Sequence, residues 1–136
     1  MNLRKPIKHA ISIVLLNKNK ETLFALRNKH KKSYPNTWSL PSHFVEEGET
    51  FEDTIKRIGK NKLGCELEKD FLLKENKFER EKFILFMHVY QVKLISGKPK
   101  VNTTSYQKIK WEDAKTQFNE MDVFGACTTL YKEYLK

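Results

Sequence analysis

The chain has 136 residues, a length that suits one domain, residues 1–136, built around a single core. Its two cysteines, Cys65 and Cys127, lack the spacing of a metal site, which favours buried thiols in a reducing compartment. The short basic stretch from Met1 to Lys8 precedes no apolar run long enough for a signal peptide or a membrane span. We therefore expect a cytoplasmic protein with no membrane partner.

The formal net charge of +9 favours anionic partners, because clustered lysine and arginine attract phosphate groups. Lysine is scattered through every segment, but two clusters stand out: one from Lys29 to Lys32, and one of Lys56, Arg57, Lys60 and Lys62. The first cluster is a candidate for contacting an RNA backbone. No aromatic RNA-binding run, zinc knuckle or recognition helix accompanies it, so a solvated loop is the competing interpretation.

Apolar and alternating segments predict four strands. The first two run from His9 to Leu16 and from Thr22 to Arg27, on either side of a polar turn. A long strand is predicted from Lys82 to Ile95, followed by a Ser-Gly turn. A short strand covers Ile109 to Trp111.

Two helices are predicted, from about Thr50 to Lys62 and from about Met121 to Leu135. Each has a stripe of residues at helical spacing that should face the core. The stripes consist of Phe51, Ile55 and Ile58 in the first helix, and of Val123, Cys127, Leu130 and Tyr134 in the second. In the first helix, Asp53 and Arg57 are spaced for an ion pair, and Gly59 suggests close approach of another backbone.

The segment from Trp38 to Gly64, called the box segment below, resembles the Nudix box. That pattern is a glycine, five residues, a glutamate, seven residues, and then Arg-Glu-hydrophobic-any-Glu-Glu-any-Gly. Laid over the chain without gaps, it matches at Glu49, Arg57 and Gly64. With the strands on either side, the resemblance covers nearly the whole chain and implies the Nudix α/β fold, an α/β/α sandwich with a mixed sheet.

The chain departs from the pattern where the family holds metal. His43 replaces the first glycine, and Ile58, Asn61 and Lys62 replace the three glutamates after the arginine. We expect these three residues to share one helix face, where glutamates would bind the Mg²⁺ that polarises a pyrophosphate. An ammonium there costs a bound cation on the order of 4 kcal/mol per unit charge, so no metal or other cofactor is expected.

Acids nevertheless remain beside the helix, and two interpretations stay open. Glu46, Glu47 and Glu49 are candidates for a noncanonical Mg²⁺ or Mn²⁺ site, in which Glu49 would be catalytic and Arg57 supporting. Alternatively, acids in a first turn and bases in a last turn simply complement the helix dipole. A run from Thr103 to Trp111, where the family often has another glutamate, contains no acid.

An ammonium can neutralise phosphate oxygens without metal geometry, so Lys62 is a candidate for holding a phosphorylated small molecule or nucleotide. Candidate ligand-binding residues beside it are Lys60, His43, Trp38 and Lys108. The crevice should lie between the box segment and the loop from Lys29 to Lys32.

Three functions follow. The first is a domain that resembles nucleoside-diphosphate-X pyrophosphohydrolases but has lost or much reduced metal-dependent hydrolysis and binds a phosphorylated ligand. The second is an active pyrophosphohydrolase using the noncanonical metal site. The third is an RNA-associated or structural module. The sequence names neither the ligand nor the oligomeric state.

Overall fold

The structure is a computed structural model that describes residues 5–32, 34–101, 104–120 and 125–136, with only the backbone of residues 119 and 120. The strands are β1 Ile7–Val14, β2 Thr22–Arg27, β3 Trp38–Ser39, β4 Ser42–Phe44, β5 Glu66–Glu79, β6 Ile84–Ser96 and β7 Tyr106–Glu112. The helices are α1 Phe51–Ile58, a π-helical turn Gly59–Leu63, α2 Ala114–Glu120 and α3 Ala126–Tyr134.

The strands form two sheets. The larger has the order β4-β1-β6-β5 and the smaller has the order β3-β2-β7. The larger sheet is mixed, because β1 runs parallel to β6 while the β1–β4 and β5–β6 pairs are antiparallel. This agrees with the mixed α/β class predicted from the sequence.

The central strand β1 is buried on both faces, and its alternating side chains enter two different core clusters. Ile11 and Ile13 pack in a cluster with Ile55 of α1. Ala10 and Val14 pack in a cluster with Leu130 of α3. The larger sheet therefore lies between α1 on one face and α3 on the other.

Helix α1 begins at a capping box, in which Thr50 and Asp53 bond reciprocally to each other's backbone N–H. The stripe predicted for this helix is confirmed, since Ile55 and Ile58 are fully buried and Phe51 packs against the same cluster. The predicted pair between Asp53 and Arg57 is wrong. Asp53 is used by the cap, and Arg57 binds Glu49 instead.

The C-terminal helix begins later than predicted. Gly125 has an extended backbone and caps α3, so the helix starts at Ala126. Of its predicted stripe, Cys127 and Leu130 are buried, but Tyr134 is 44% exposed and Tyr131 takes the core position. Val123 and the predicted start at Met121 lie outside the described residues.

The short strands β3 and β4, the long strand β5 and the helix α2 were not predicted from the sequence. Strand β5 is a charged edge strand with register shifts that break its alternation, and α2 is a short helix after β7. No helix in the described part of the chain is long and apolar enough to cross a membrane.

Candidate functional site

The acid and the arginine that match the box pattern bind each other. The Arg57 Nε and Nη2 atoms donate to the two oxygens of Glu49 at 2.8 and 2.9 Å. Arg57 Nη2 also donates to the Phe44 carbonyl at 2.8 Å, which ties α1 to the end of β4. Glu49 accepts two further bonds, from the Glu46 backbone N–H and the Thr54 hydroxyl. The pair therefore clamps the loop to the helix.

This clamp stabilises the charged form of Glu49. The hydrogen bonds from Arg57 lower the pKa of the Glu49 carboxyl to about 2, with help from the Glu46 N–H and Thr54. Glu46 also contributes a carboxylate oxygen 3.4 Å from Arg57 Nη1. A cation approaching Glu46 or Glu49 would meet a guanidinium that already bonds to Glu49 and lies beside Glu46.

The helix changes its winding at Gly59, where the π-helical turn begins. A Cβ atom on Gly59 would lie 2.8 Å from the Cys65 carbonyl oxygen and 2.8 Å from Leu67 Cγ, so only glycine fits. The close backbone approach expected from the sequence is thus confirmed. Gly64 ends the turn in the left-handed region, with φ of 62°.

The three residues that replace the box glutamates, which regular helical spacing predicts on one face, have different surroundings. Ile58 is buried in the core beneath α1, and Asn61 is exposed. Lys62 instead points toward β4, where its Nζ donates to the Ser42 carbonyl at 2.8 Å. Its ammonium lies 5.5 Å from the centre of the Tyr106 ring.

Burial is the main reason that the pKa of Lys62 falls to about 8. The positive charges of Lys31, Arg27 and Arg57 lower it further. Binding of an anion beside Lys62 would stabilise its charged form, because the anion offsets both the repulsion from the other cations and the loss of hydration.

Lys62 lines a cavity of about 240 Å³ that we call the lysine cavity. It lies between the box segment and the loop from Lys29 to Lys32, where a ligand crevice was predicted from the sequence. Its lining combines apolar side chains with three cationic ones, those of Arg27, Lys31 and Lys62. The lining consists of Ala10, Arg27, Lys31, Ser42, His43, Phe44, Lys62, Leu85, Met87, Ser105 and Tyr106.

A second cavity of about 230 Å³, the aromatic cavity, adjoins the first. The two share Arg27, Ser42, Phe44, Leu85 and Met87, so they form one groove across the sheet. The residues lining the aromatic cavity alone are Tyr34, Thr37, Ser39, Arg80, Phe83, Gly125, Ala126 and Cys127. The aromatic cavity thus adds the rings of Tyr34 and Phe83, together with Arg80, to the residues that the two cavities share.

Only some of the residues predicted to bind ligand meet in the lysine cavity. Lys62 and His43 both line it, whereas Lys60 lines a separate open depression near Gly64. Trp38 packs against the core, with Lys110 Nζ 4.4 Å and Lys108 Nζ 5.9 Å from its ring centre. Trp38 and Lys108 are therefore neighbours of each other on the smaller sheet, apart from the cavity lining.

His43 is partly exposed, and its Nδ1 lies 3.1 Å from the Phe44 carbonyl oxygen. Burial lowers its pKa, and the charges of Lys62 and Arg57 act in the same direction, so the ring is neutral at pH 7. Sequence reasoning missed Arg27 as a cavity residue. Arg27 directly follows an apolar strand and precedes the basic loop, and that position was the available signal.

The acids around the box segment do not fit a metal ion. Across residues 5–32, 34–101, 104–118 and 125–136, no three side chains of His, Cys, Asp or Glu are grouped to hold one. Glu47 is exposed, and Glu46 and Glu49 surround Arg57. A metal held by these acids would have to displace the guanidinium first.

A second polar cluster lies under the start of α1. His88 is buried, and its Nδ1 lies 2.6 Å from Glu75 Oε2. Its Nε2 lies 2.9 Å from His9 Nδ1. Because an ionised carboxylate only accepts, His88 donates to Glu75 through Nδ1–H and accepts from His9 through Nε2. No spacing in the sequence predicted this series of hydrogen bonds, because the three residues come from three different strands.

Comparison with known proteins gives the family. The NUDIX domain model matches residues 6–122. None of the curated proteins matches the chain. The MutT protein from Methanosarcina mazei Go1 has a similar fold, with a TM-score of 0.81 at 16% identity over 98% of this chain and 96% of that one.

Two further solved structures share the fold. The MutT NUDIX hydrolase from Burkholderia pseudomallei has a TM-score of 0.79 at 18% identity, over 97% of this chain and 100% of its own. A UDP-X diphosphatase has a TM-score of 0.70 at 14% identity, over 99% of this chain and 62% of its own. With a family model that spans most of its length, the chain belongs to the NUDIX domain family.

Proposed function

We propose that this protein binds a phosphorylated small molecule, of the nucleotide or nucleoside-diphosphate class, and hydrolyses it little or not at all. The observation that carries the proposal is the position of Lys62. Its ammonium lies in the lysine cavity, between β4 and the box segment, at a position where the family pattern has a glutamate. Arg27 and Lys31 line the same cavity.

The charge balance of the cavity supports this proposal. Among the residues that the structure describes, its lining contains Arg27, Lys31 and Lys62 and no carboxylate. At an effective dielectric near 20, one unit charge at 4 Å is worth on the order of 4 kcal/mol. Phosphate oxygens would gain from this arrangement and Mg²⁺ would lose. The adjoining aromatic cavity, with Tyr34, gives room for a base or another apolar group.

The test is a binding titration with inorganic pyrophosphate, sugar nucleotides and dinucleotides, with and without divalent cations. We expect binding that does not need Mg²⁺ or Mn²⁺ and that weakens as salt is raised. Lys62→Met should weaken pyrophosphate binding about tenfold, the loss of one charge-assisted contact. The matched control is Lys60→Met, which removes a neighbouring charge outside the cavity. Absence of binding to every member of the panel would refute the proposal.

An active pyrophosphohydrolase is the second candidate, supported by the proximity of Glu46 and Glu49. Similar folds are found in a protein named UDP-X diphosphatase and in a protein named NUDIX hydrolase. In this case a metal would replace Arg57 between the two carboxylates. Turnover of the same panel with Mg²⁺ or Mn²⁺, abolished by Glu46→Gln, would establish it. Glu46→Gln is the better test variant because Glu49 also holds the clamp.

A further inference from the structure

The lysine cavity contains a feature that phosphate binding alone does not need, a largely buried amine with apolar side chains and other cations in the same lining. Around Lys62 the lining supplies Ala10, Leu85 and Met87, together with the face of Tyr106. An ammonium has three N–H donors, and within the described residues its Nζ donates one hydrogen bond, to Ser42. These surroundings favour the neutral amine, which has a nucleophilic lone pair.

Burial and the neighbouring positive charges lower the pKa of Lys62 to about 8, which also favours the neutral amine. A lysine is made nucleophilic in this way, by desolvation or by another cation nearby. The chain has many other lysines, and Lys60, two residues away, is exposed on the far side of the same turn. Lys60 is therefore a built-in comparison for reactivity.

A phosphorylated compound would also be held in the right place for reaction. Arg27 and Lys31 line the cavity with Lys62, and both are partly buried. If these two side chains bind the phosphate, the rest of the ligand would lie in the same cavity, beside Lys62. Holding a reacting group beside the amine raises its effective concentration.

We propose that Lys62 forms a Schiff base with a phosphorylated aldehyde or ketone bound in the lysine cavity. This inference rests on the proposed function, because Arg27 and Lys31 of the same cavity hold the phosphate while Lys62 reacts. The Nζ lone pair attacks the carbonyl carbon, and the oxygen takes a proton to give a carbinolamine. The hydroxyl group and the remaining N–H proton then leave together as water, and the C=N bond forms. The net reaction is amine plus carbonyl to imine plus water, with no oxidant or reductant.

The experiment uses pyridoxal 5′-phosphate as the phosphorylated aldehyde, trapping of the imine with borohydride, and mapping of the modified peptides by mass spectrometry. We expect Lys62 to be labelled at least about tenfold faster than Lys60 near pH 7.5, because the lowered pKa of Lys62 leaves more of its amine neutral than in a lysine of ordinary pKa, and because the bound phosphate holds the aldehyde beside it. Pyrophosphate should protect it. Pyridoxal without phosphate should label it more slowly. Labelling spread evenly over the exposed lysines would overturn the proposal.

Lys62→Arg separates this inference from the proposed function, since arginine keeps the charge but forms no imine under these conditions. We expect the variant to lose the cavity label while its pyrophosphate binding falls less than that of Lys62→Met. Pyrophosphate binding by the wild type without preferential labelling of Lys62 would sink the Schiff base and leave the proposed function standing. Failure of both pyrophosphate binding and labelling would sink the two together.

Discussion

The interpretation of Glu49 as a clamp residue leads to a quantitative prediction for Glu49→Gln. The change removes the negative charge that accepts two bonds from Arg57, at 2.8 and 2.9 Å. A hydrogen bond to a charged group contributes about 1.5–3 kcal/mol. The two side chains are only 17% and 19% exposed, so solvent screens the pair weakly. Arg57 retains Glu46 and the Phe44 carbonyl, which places the expected loss at about 2 kcal/mol.

The assay is thermal and urea unfolding of the wild type and the variant. For a domain of this size, about 2 kcal/mol corresponds to a fall in Tm of about 8 °C. The matched control is Glu47→Gln, which neutralises an exposed acid in the same loop and should change Tm little.

The pH dependence gives a second readout. Because the folded-state pKa of Glu49 is lowered from 4.5 to about 2, its contribution is present above pH 4.5 and is lost as the pH falls toward 2. The stability difference between wild type and Glu49→Gln should therefore shrink across that range. An unchanged Tm in Glu49→Gln, together with loss of metal binding or turnover, would refute the clamp and favour a catalytic carboxylate.

Three further predictions concern other parts of the molecule. Gly59→Ala should destabilise the protein by about 1–3 kcal/mol in urea unfolding, because the new Cβ would overlap the Cys65 carbonyl; a gain in stability would show that the turn can open. Burial lowers the pKa of His88, and the charge of His9 acts in the same direction while Glu75 opposes it. Stability should therefore fall as the pH drops below 6.5, and His88→Phe should flatten that dependence; an equal slope in both proteins would contradict it. RNA binding, if present at low salt, should weaken steeply as salt is raised and respond to changing Lys31 and Lys32; no binding at low salt would remove that function.

Local patterns were enough to predict the elements that form the centre of the fold. Strand β2 has the predicted bounds, and the box helix has its predicted stripe, because both are set by short-range periodicity. Strand β5 was missed because it lies at a sheet edge with many charged residues and with bulges that break the alternation. The start of α3 was misplaced because Gly125 adopts an extended conformation that the apolar spacing does not reveal.

The candidate site could be predicted only in part, because some of its features are local in the sequence and others are not. The replacement of the box glutamates can be read directly, and so can the presence of Lys62. The face that Lys62 occupies depends on the π-helical turn, which regular helical spacing does not anticipate. Arg27 joins the cavity only through sheet pairing, in which it lies opposite Tyr106.

The ion-pair partner of Arg57 could not be predicted from helical spacing either. Asp53 has the right spacing for Arg57, but the N-terminal cap of α1 uses that carboxylate, and Glu49 comes from the preceding loop. The hydrogen bonds from His9 through His88 to Glu75 join three strands, and the two histidines are 79 positions apart in the sequence. Such contacts are set by tertiary packing and leave no local signature.

A crystal structure grown with inorganic pyrophosphate and Mn²⁺ together would show whether this protein binds phosphate groups through Lys62 or through a metal ion. We expect pyrophosphate in the lysine cavity, bonded to Lys62 and flanked by Arg27 and Lys31, with no anomalous manganese peak beside the box segment. A manganese ion coordinated by Glu46 and Glu49, with Arg57 displaced, would contradict this expectation.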